Sequence, residues 1–231
     1  MYDIMYGGMT ARQNRLLIKK RPDIPSPEKN YNVYDIPWGV GKLYQDLGTV
    51  NDMEIDISLN FIAPKELWSE IFRNARRWLL SGADQLVLED DQAYYYRVKK
   101  VNIGDAERTI RKFGNFTATF VCEGYQYVRD GARKMGIDDV TYNPYDTCKP
   151  QYFIEGEGLC QLSVNGKRMA ANVGQNLTID TGRMIAYRED GELQNTEVSG
   201  DYENLWLKPG ENRLAITDGF ALHVVPNWRC L

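Results

Sequence analysis

The chain has a single histidine, His223, among its 231 residues, which excludes any metal site built on several imidazoles. No apolar run approaches the roughly 18 residues needed to cross a bilayer, and the N-terminus lacks a charged segment followed by an apolar core. Neither membrane insertion nor export is therefore expected. The four cysteines, Cys122, Cys148, Cys160 and Cys230, show no C-x-x-C spacing and are expected as reduced thiols, with a spatial pairing of Cys148 with Cys160 or Cys230 left open. Long Lys/Arg blocks are also missing and the net charge is -4, so specific nucleic-acid binding is not expected. There is no Walker-type loop and no Gly-x-Ser-x-Gly elbow; the Gly7-Gly8 pair precedes no phosphate-cradling helix.

What is present is an ordinary globular composition, 43% apolar and 26% charged, with twenty glycines and nine prolines. That balance argues against disorder and for a turn-rich, mostly β chain. The length suits one large or two modest domains.

In the first half, residues 2–6 and 16–20 read as strands. Pro22, Pro25 and Pro27 then force an extended surface loop, running from Arg21 to Tyr34. Residues 54–61 alternate strictly, with Ile55, Ile57, Leu59 and Phe61 on one face and Glu54, Asp56, Ser58 and Asn60 on the other, the period of a half-buried strand. Pro64 is placed to open a helix over about residues 65–80, with Leu67, Trp68, Ile71, Phe72, Ala75, Trp78 and Leu79 on its apolar stripe and a glycine stop at Gly82. Residues 85–88, 94–101 and 115–122 complete an α+β unit with one helix on a β-sheet. Its expected core is Ile55, Leu59, Trp68, Ile71, Phe72, Trp78, Phe116 and Phe120.

Apolar periodicity fails between Val128 and Pro150, where glycines and Asn143-Pro144 punctuate the chain, so the domain division is set here, as 1–140 and 141–231. Beyond it, short strands are expected at 152–154, 159–164, 177–180, 184–187, 205–207, 213–217 and 221–225. Turns at Asn165-Gly166, Asp190-Gly191 and Pro209-Gly210 separate them, which predicts a small antiparallel β-sandwich.

Candidate chemistry is sparse. His223 sits opposite Phe220, Leu222 and Val224 on a strand and reads as a half-exposed strand residue. Glu89, Asp90 and Asp91 read as a solvated hairpin tip without the spacing of a calcium loop, and Glu155, Glu157, Glu189 and Glu192 as loop acids. Tyr202, Trp206 and Trp228 are candidate sugar-stacking rings, although Trp206 lies in an apolar strand and reads as core.

The ordered stretches carry a resemblance. Arg21-Pro22-Asp23-Ile24-Pro25-Ser26-Pro27, the Gly-rich loop Trp38-Gly39-Val40-Gly41, then Leu43-Tyr44-Gln45-Asp46-Leu47-Gly48 and the alternating strand resemble the opening of siphophage distal tail proteins. Ile179-Asp180-Thr181, Gly200-Asp201-Tyr202 and Trp206-Leu207-Lys208-Pro209-Gly210-Glu211-Asn212 resemble their second domain. Where many members have a Gly-Arg-Asp-Gly type loop, this chain has Trp38-Gly39-Val40-Gly41. The resemblance implies a structural protein rather than an enzyme, without catalytic residues, cofactor or metal. It further implies a hexameric ring at the distal end of a long non-contractile phage or prophage tail, assembled in the bacterial host cytoplasm. Residues 1–140 would form the ring's belt and 141–231 a galectin-like sandwich pointing outward. Further copies of the chain, the tail tube protein, a tail-associated lysin or fibre hub, and receptor-binding or baseplate proteins would be its partners. Candidate ring-interface residues are Arg21, Pro22, Ile24, Pro25, Pro27, Trp38 and Val40. Two other classes compete: a carbohydrate-binding module for host cell-wall glycans, and a tail hydrolase, which would need paired acids around a cleft.

Overall fold

The computed structural model of the protein describes residues 2–109 and 112–231. The chain folds as two compact units, one running to Gln126 and taking in Leu231, the other Tyr127–Cys230. Residues 127–140, counted with the first domain in the sequence reading, thus fall in the second unit.

The first unit carries strands β1 (Ile4–Tyr6), β2 (Met9–Thr10), β3 (Leu17–Ile18), β4 (Lys29–Asp35), β5 (Lys42–Val50) and β6 (Met53–Ile62), helix α1 (Trp68–Leu79), then β7 (Gln85–Leu88), β8 (Tyr94–Ile103), β9 (Glu107–Thr109) and β10 (Phe113–Val128). The main sheet runs β2-β1-β7-β8-β10-β6-β3, with β9 on β10. The long antiparallel ladder between β6 and β10 is in register from Phe113↔Ile62 to Cys122↔Met53. Its register puts Ile55, Ile57, Leu59 and Phe61 on the buried face, as their alternation predicts, each at most 1% exposed. Phe61 faces Gly114 across the ladder, and a Cβ at Gly114 would come within 2.2 Å of that ring, so the position requires glycine.

Helix α1 lays Ile71, Ala75, Trp78 and Leu79 on this core, where Phe116 and Phe120 are also buried. The helix begins later than predicted. Residues 64–67 close a turn through the Leu67 N–H and the Pro64 carbonyl at 3.1 Å, and Leu67 is exposed rather than on the stripe. With no side-chain cap at Leu67, helical bonds start only at Ile71 N–H to Leu67 O. Trp68 and Phe72 are half-buried, packing at the rim of the core with Phe61, 5.3 Å from Trp68, and Phe116, 5.3 Å from Phe72. The glycine stop is as expected, Gly82 having φ +77°.

The expectation of a loop through Tyr34 is corrected. Residues from Lys29 on form a two-stranded antiparallel arm, β4 with β5, from Lys29↔Val50 to Asp35↔Lys42.

The second unit holds β11 (Tyr142–Asn143), β12 (Gln151–Val164), β13 (Lys167–Asp180), β14 (Ile185–Tyr187), β15 (Val198–Ser199), β16 (Gly210–Glu211), β17 (Leu214–Ile216) and β18 (Ala221–Val225). The strands expected at 152–154 and 159–164 are one strand, paired with β13 without a break from Gln151↔Asp180 to Val164↔Lys167. Strands β18 and β17 occupy one edge of this hairpin, β14 and β15 the other, and β11 pairs with β16. One core lies inside, with Tyr152, Ile154, Leu162, Met169, Val173 and Ile179 buried. The strand expected at 205–207 is instead a 3-10 turn, Tyr202–Leu205, followed by a single bridge from Leu207 to Cys148.

Candidate assembly surface

The arm starts at Lys29, directly after the proline-rich segment. Pro22 is buried, Ile24 packs on the first core, and Pro27 lies near Gly124 of β10. These residues, expected on an open surface loop, are taken up by their own unit. Arg21 is half-exposed and donates from Nε to Asp90 Oδ2 at 2.5 Å, while Pro25 is exposed. Asp90, expected as a solvated hairpin tip, also accepts from the Tyr2 hydroxyl at 2.5 Å. These hydrogen bonds, Tyr2 first and Arg21 second, hold its carboxyl below the usual range.

At the root of the arm a Cβ on Gly124 would lie 2.4 Å from the Asn51 carbonyl and 3.1 Å from Pro27 Cβ. The Asn51 N–H donates to the Glu28 carbonyl at 2.8 Å and closes the base. Just above it the register shifts between Lys29 and Tyr31, a bulge in which Gly48 has φ +67°. Such a bulge bends the ribbon and sets its direction. Asp46 fixes it by accepting from the Gly48 N–H at 2.8 Å and pairing with Lys29 at 3.1 Å. Beyond the bulge Tyr31 meets Tyr44 edge to face at 6.2 Å and the Tyr34 hydroxyl donates to Gln45.

At the tip, Ile36-Pro37-Trp38-Gly39 is a turn closed by the Gly39 N–H and the Ile36 carbonyl at 3.1 Å, with Trp38 at φ +63°. Proline at the second position and a positive φ at the third give a type II turn, whose third position favours glycine. A tryptophan there holds a conformation costing on the order of 1 kcal/mol. Trp38 and Val40 are both 105% exposed, and Tyr31, Val33, Tyr34, Leu43, Tyr44 and Leu47 along the arm are exposed too. Nothing among the described residues covers this ribbon. Isolated two-stranded hairpins are marginal in water, so a partner surface on the arm would stabilise it. The sequence reading singled out Trp38 and Val40 but missed the arm that carries them, because strand periodicity shows only where one face is buried.

Few of the described residues are placed for chemistry. All four cysteines are reduced thiols, and burial pushes the Cys122 thiol up to about 12 and that of Cys148 up to about 11, far from a reactive thiolate. No three His, Cys, Asp or Glu side chains converge among the described residues, nor is any described helix long and apolar enough to cross a membrane. His223 is an exposed strand residue opposite Phe153. In the second unit Trp206 is half-buried, with the Lys149 ammonium 4.8 Å from its ring centre and its N–H directed to the Thr181 carbonyl. Tyr202 packs on the core and Trp228 lies over Gly131.

Asp180, Thr181 and Asn212 of the second unit are turn fasteners. Asp180 Oδ1 accepts from the Gly182 and Arg183 N–H groups, both at 2.9 Å, and its Oδ2 accepts from Gln151. Thr181 donates from its hydroxyl and its N–H to the Pro150 carbonyl. Asn212, 2% exposed, accepts from the Lys208 N–H and the Asn165 amide and donates to the Lys208 and Gly210 carbonyls.

No protein-family model and no curated protein matches the sequence. Among solved structures it is similar to the crystal structure of the Dit protein (gp 19.1) of SPP1, described as a paradigm of the hub adsorption apparatus in phages that infect Gram-positive bacteria. The TM-score is 0.65 at 12% identity, over 97% of this chain and 98% of that one. The mostly β chain, with its two units and single described α-helix, has the fold of a phage distal tail protein.

Proposed function

We propose that the chain is a structural hub protein that assembles into a ring at the distal end of a long non-contractile phage tail. The arm carries this reading: a hairpin exposed along its length, rooted at Gly124 and ending in Trp38 and Val40, offers a surface that only another chain can cover. The likeness of fold to the SPP1 hub protein supports it. A closed ring uses one head-to-tail contact repeated by rotation, so each copy needs both a projecting element and a receiving one. The first unit supplies the projection and forms the belt, and the second unit lies at its periphery. The ring is hexameric and joins the tail tube protein above to the lysin or fibre hub and the receptor-binding apparatus below. Its work is docking rather than turnover, a reading supported by the likeness of fold to the SPP1 hub protein.

The test is native mass spectrometry of the purified full chain across concentration, alone and with tail tube protein, with particle imaging of any oligomer. Six-fold rings are expected. A protein that stays monomeric under every condition and binds no tail component would overturn the proposal.

A further inference from the structure

The first unit carries an unfilled cleft of about 520 Å³ between α1 and residues 9–15. Met9, Leu67 and Ile71 line its apolar part, and Arg15, Glu70 and Arg77 stand around it. Met9 and Leu67 are exposed, although each adjoins a segment that faces the core. The volume falls in the range of sites that enclose a compact ligand, and it exceeds what one aromatic side chain needs.

We propose that this cleft receives the arm tip of a second copy, with Trp38 as the inserted side chain. The inference rests on the ring reading above and names its contact. Three observations converge. The tip is uncharged from Ile36 to Gly41 and presents a fully exposed indole on a turn whose backbone holds a strained φ of +63°. A strained, exposed aromatic is retained where something outside the chain uses it. The charges also match: Asp35 and Lys42 face each other at the base of the tip and enter no ion pair among the described residues, and neither do Arg15, Arg77 or Glu70 at the cleft. Seating the tip brings one acid and one base of the arm to two bases and one acid of the rim, and either arginine can lie over the indole face. Tip and cleft are different patches of one chain, so the contact is head-to-tail and propagates around a ring.

Disulfide trapping in the full-length protein tests the contact. Cys230 is replaced by serine to remove the one thiol that is not buried, and Val40→Cys and Asn74→Cys are made separately, Asn74 lining the cleft. Both sites are exposed, so neither change disturbs folding. Mild oxidation of the mixed variants is expected to give a 40–74 linked dimer, identified by peptide mass spectrometry. Adding Trp38→Ala to the Val40→Cys chain should lower the yield at least tenfold, while Trp38→Phe keeps part of it. Rings without the 40–74 bond, or a Val40→Cys thiol captured only by tail tube protein, would refute this contact and leave the ring reading standing. Absence of any oligomer together with absence of binding to any tail component would refute both.

Discussion

Arg21 Nε and Asp90 Oδ2 lie 2.5 Å apart, joining the start of the proline-rich segment to the turn between β7 and β8. Arg21 leads straight into buried Pro22, so this contact helps fix where the segment begins its path to the arm. Tyr2 donates to the other Asp90 oxygen, and the two bonds lower the carboxyl's pKa in the folded state. A carboxyl that titrates below its unfolded value stabilises the fold fully above about pH 4, and the gain is lost as pH falls through the folded pKa. Asp90→Asn should therefore melt below the wild type at pH 7, with the gap narrowing as the pH falls from about 4 through the lowered folded-state pKa. A gap that persists unchanged into acid would show that the charge is irrelevant. The effect should be small because both partners are well exposed.

The core under α1 should be unequal along its length. Phe120 is wholly buried and touches Tyr6 at 5.3 Å, so Phe120→Ala should cost about 3–5 kcal/mol. Phe72 is half-buried at the rim, and Phe72→Ala should cost about half as much, since part of its surface is already wet. Urea denaturation of both variants decides it. Equal losses would place Phe72 in the centre of the core.

These elements differ in how far the sequence displays them. Strand β6 and the Ile71, Ala75, Trp78 stripe are legible because each puts apolar side chains on one face only. The arm hides its strands for the opposite reason: exposed on both sides, it has no burial pattern to impose alternation. Residues 127–150 are opaque on other grounds. They are held by backbone bonds to distant partners, such as Met135 with Val224 and Cys148 with Leu207, and by Trp228 over Gly131. In β12 the run Glu155 to Gly158 reads as an interruption, yet pairing continues through it, with glycine at 156 leaving room for the Phe220 ring. Trp38 and Val40 were identifiable as exposed loop residues, whereas their cleft is a tertiary product of α1 and residues 9–15.

Asn212 should behave as a buried fastener. Asn212→Ala leaves the Lys208 and Gly210 carbonyls and the Lys208 N–H without their partner, and a loss of about 2–3 kcal/mol is expected. Asn212→Asp keeps an acceptor for the Lys208 N–H but sets a carboxylate against both carbonyls, so it should be no better than alanine. An aspartate variant as stable as wild type would mean that the amide's donors do not matter.

Gly124 tests the root of the arm without the complication of an unusual backbone angle. A Cβ there would press on the Asn51 carbonyl at 2.4 Å, a backbone atom that cannot swing aside. Gly124→Ala should destabilise the chain by about 1–3 kcal/mol. It should also speed hydrogen exchange at the Asn51 amide, which bonds to Glu28. Unchanged stability and exchange would show that the root is looser than its spacing indicates.

Removing the arm separates folding from assembly. Lys29 and Val50 face each other in the ladder, so residues 30–49 can be replaced by Asn-Gly, a pair suited to a two-residue hairpin turn. The deleted side chains are mostly exposed and the core residues all lie elsewhere, so stability should stay within about 0.5 kcal/mol of wild type. Assembly should not survive, because the projecting half of every head-to-tail contact is gone while the cleft remains. Native mass spectrometry with a urea titration of the same sample reads both quantities. A stable chain that still forms rings would move the interface off the arm, and a chain that no longer folds would make the arm a structural part of the unit instead of its docking element.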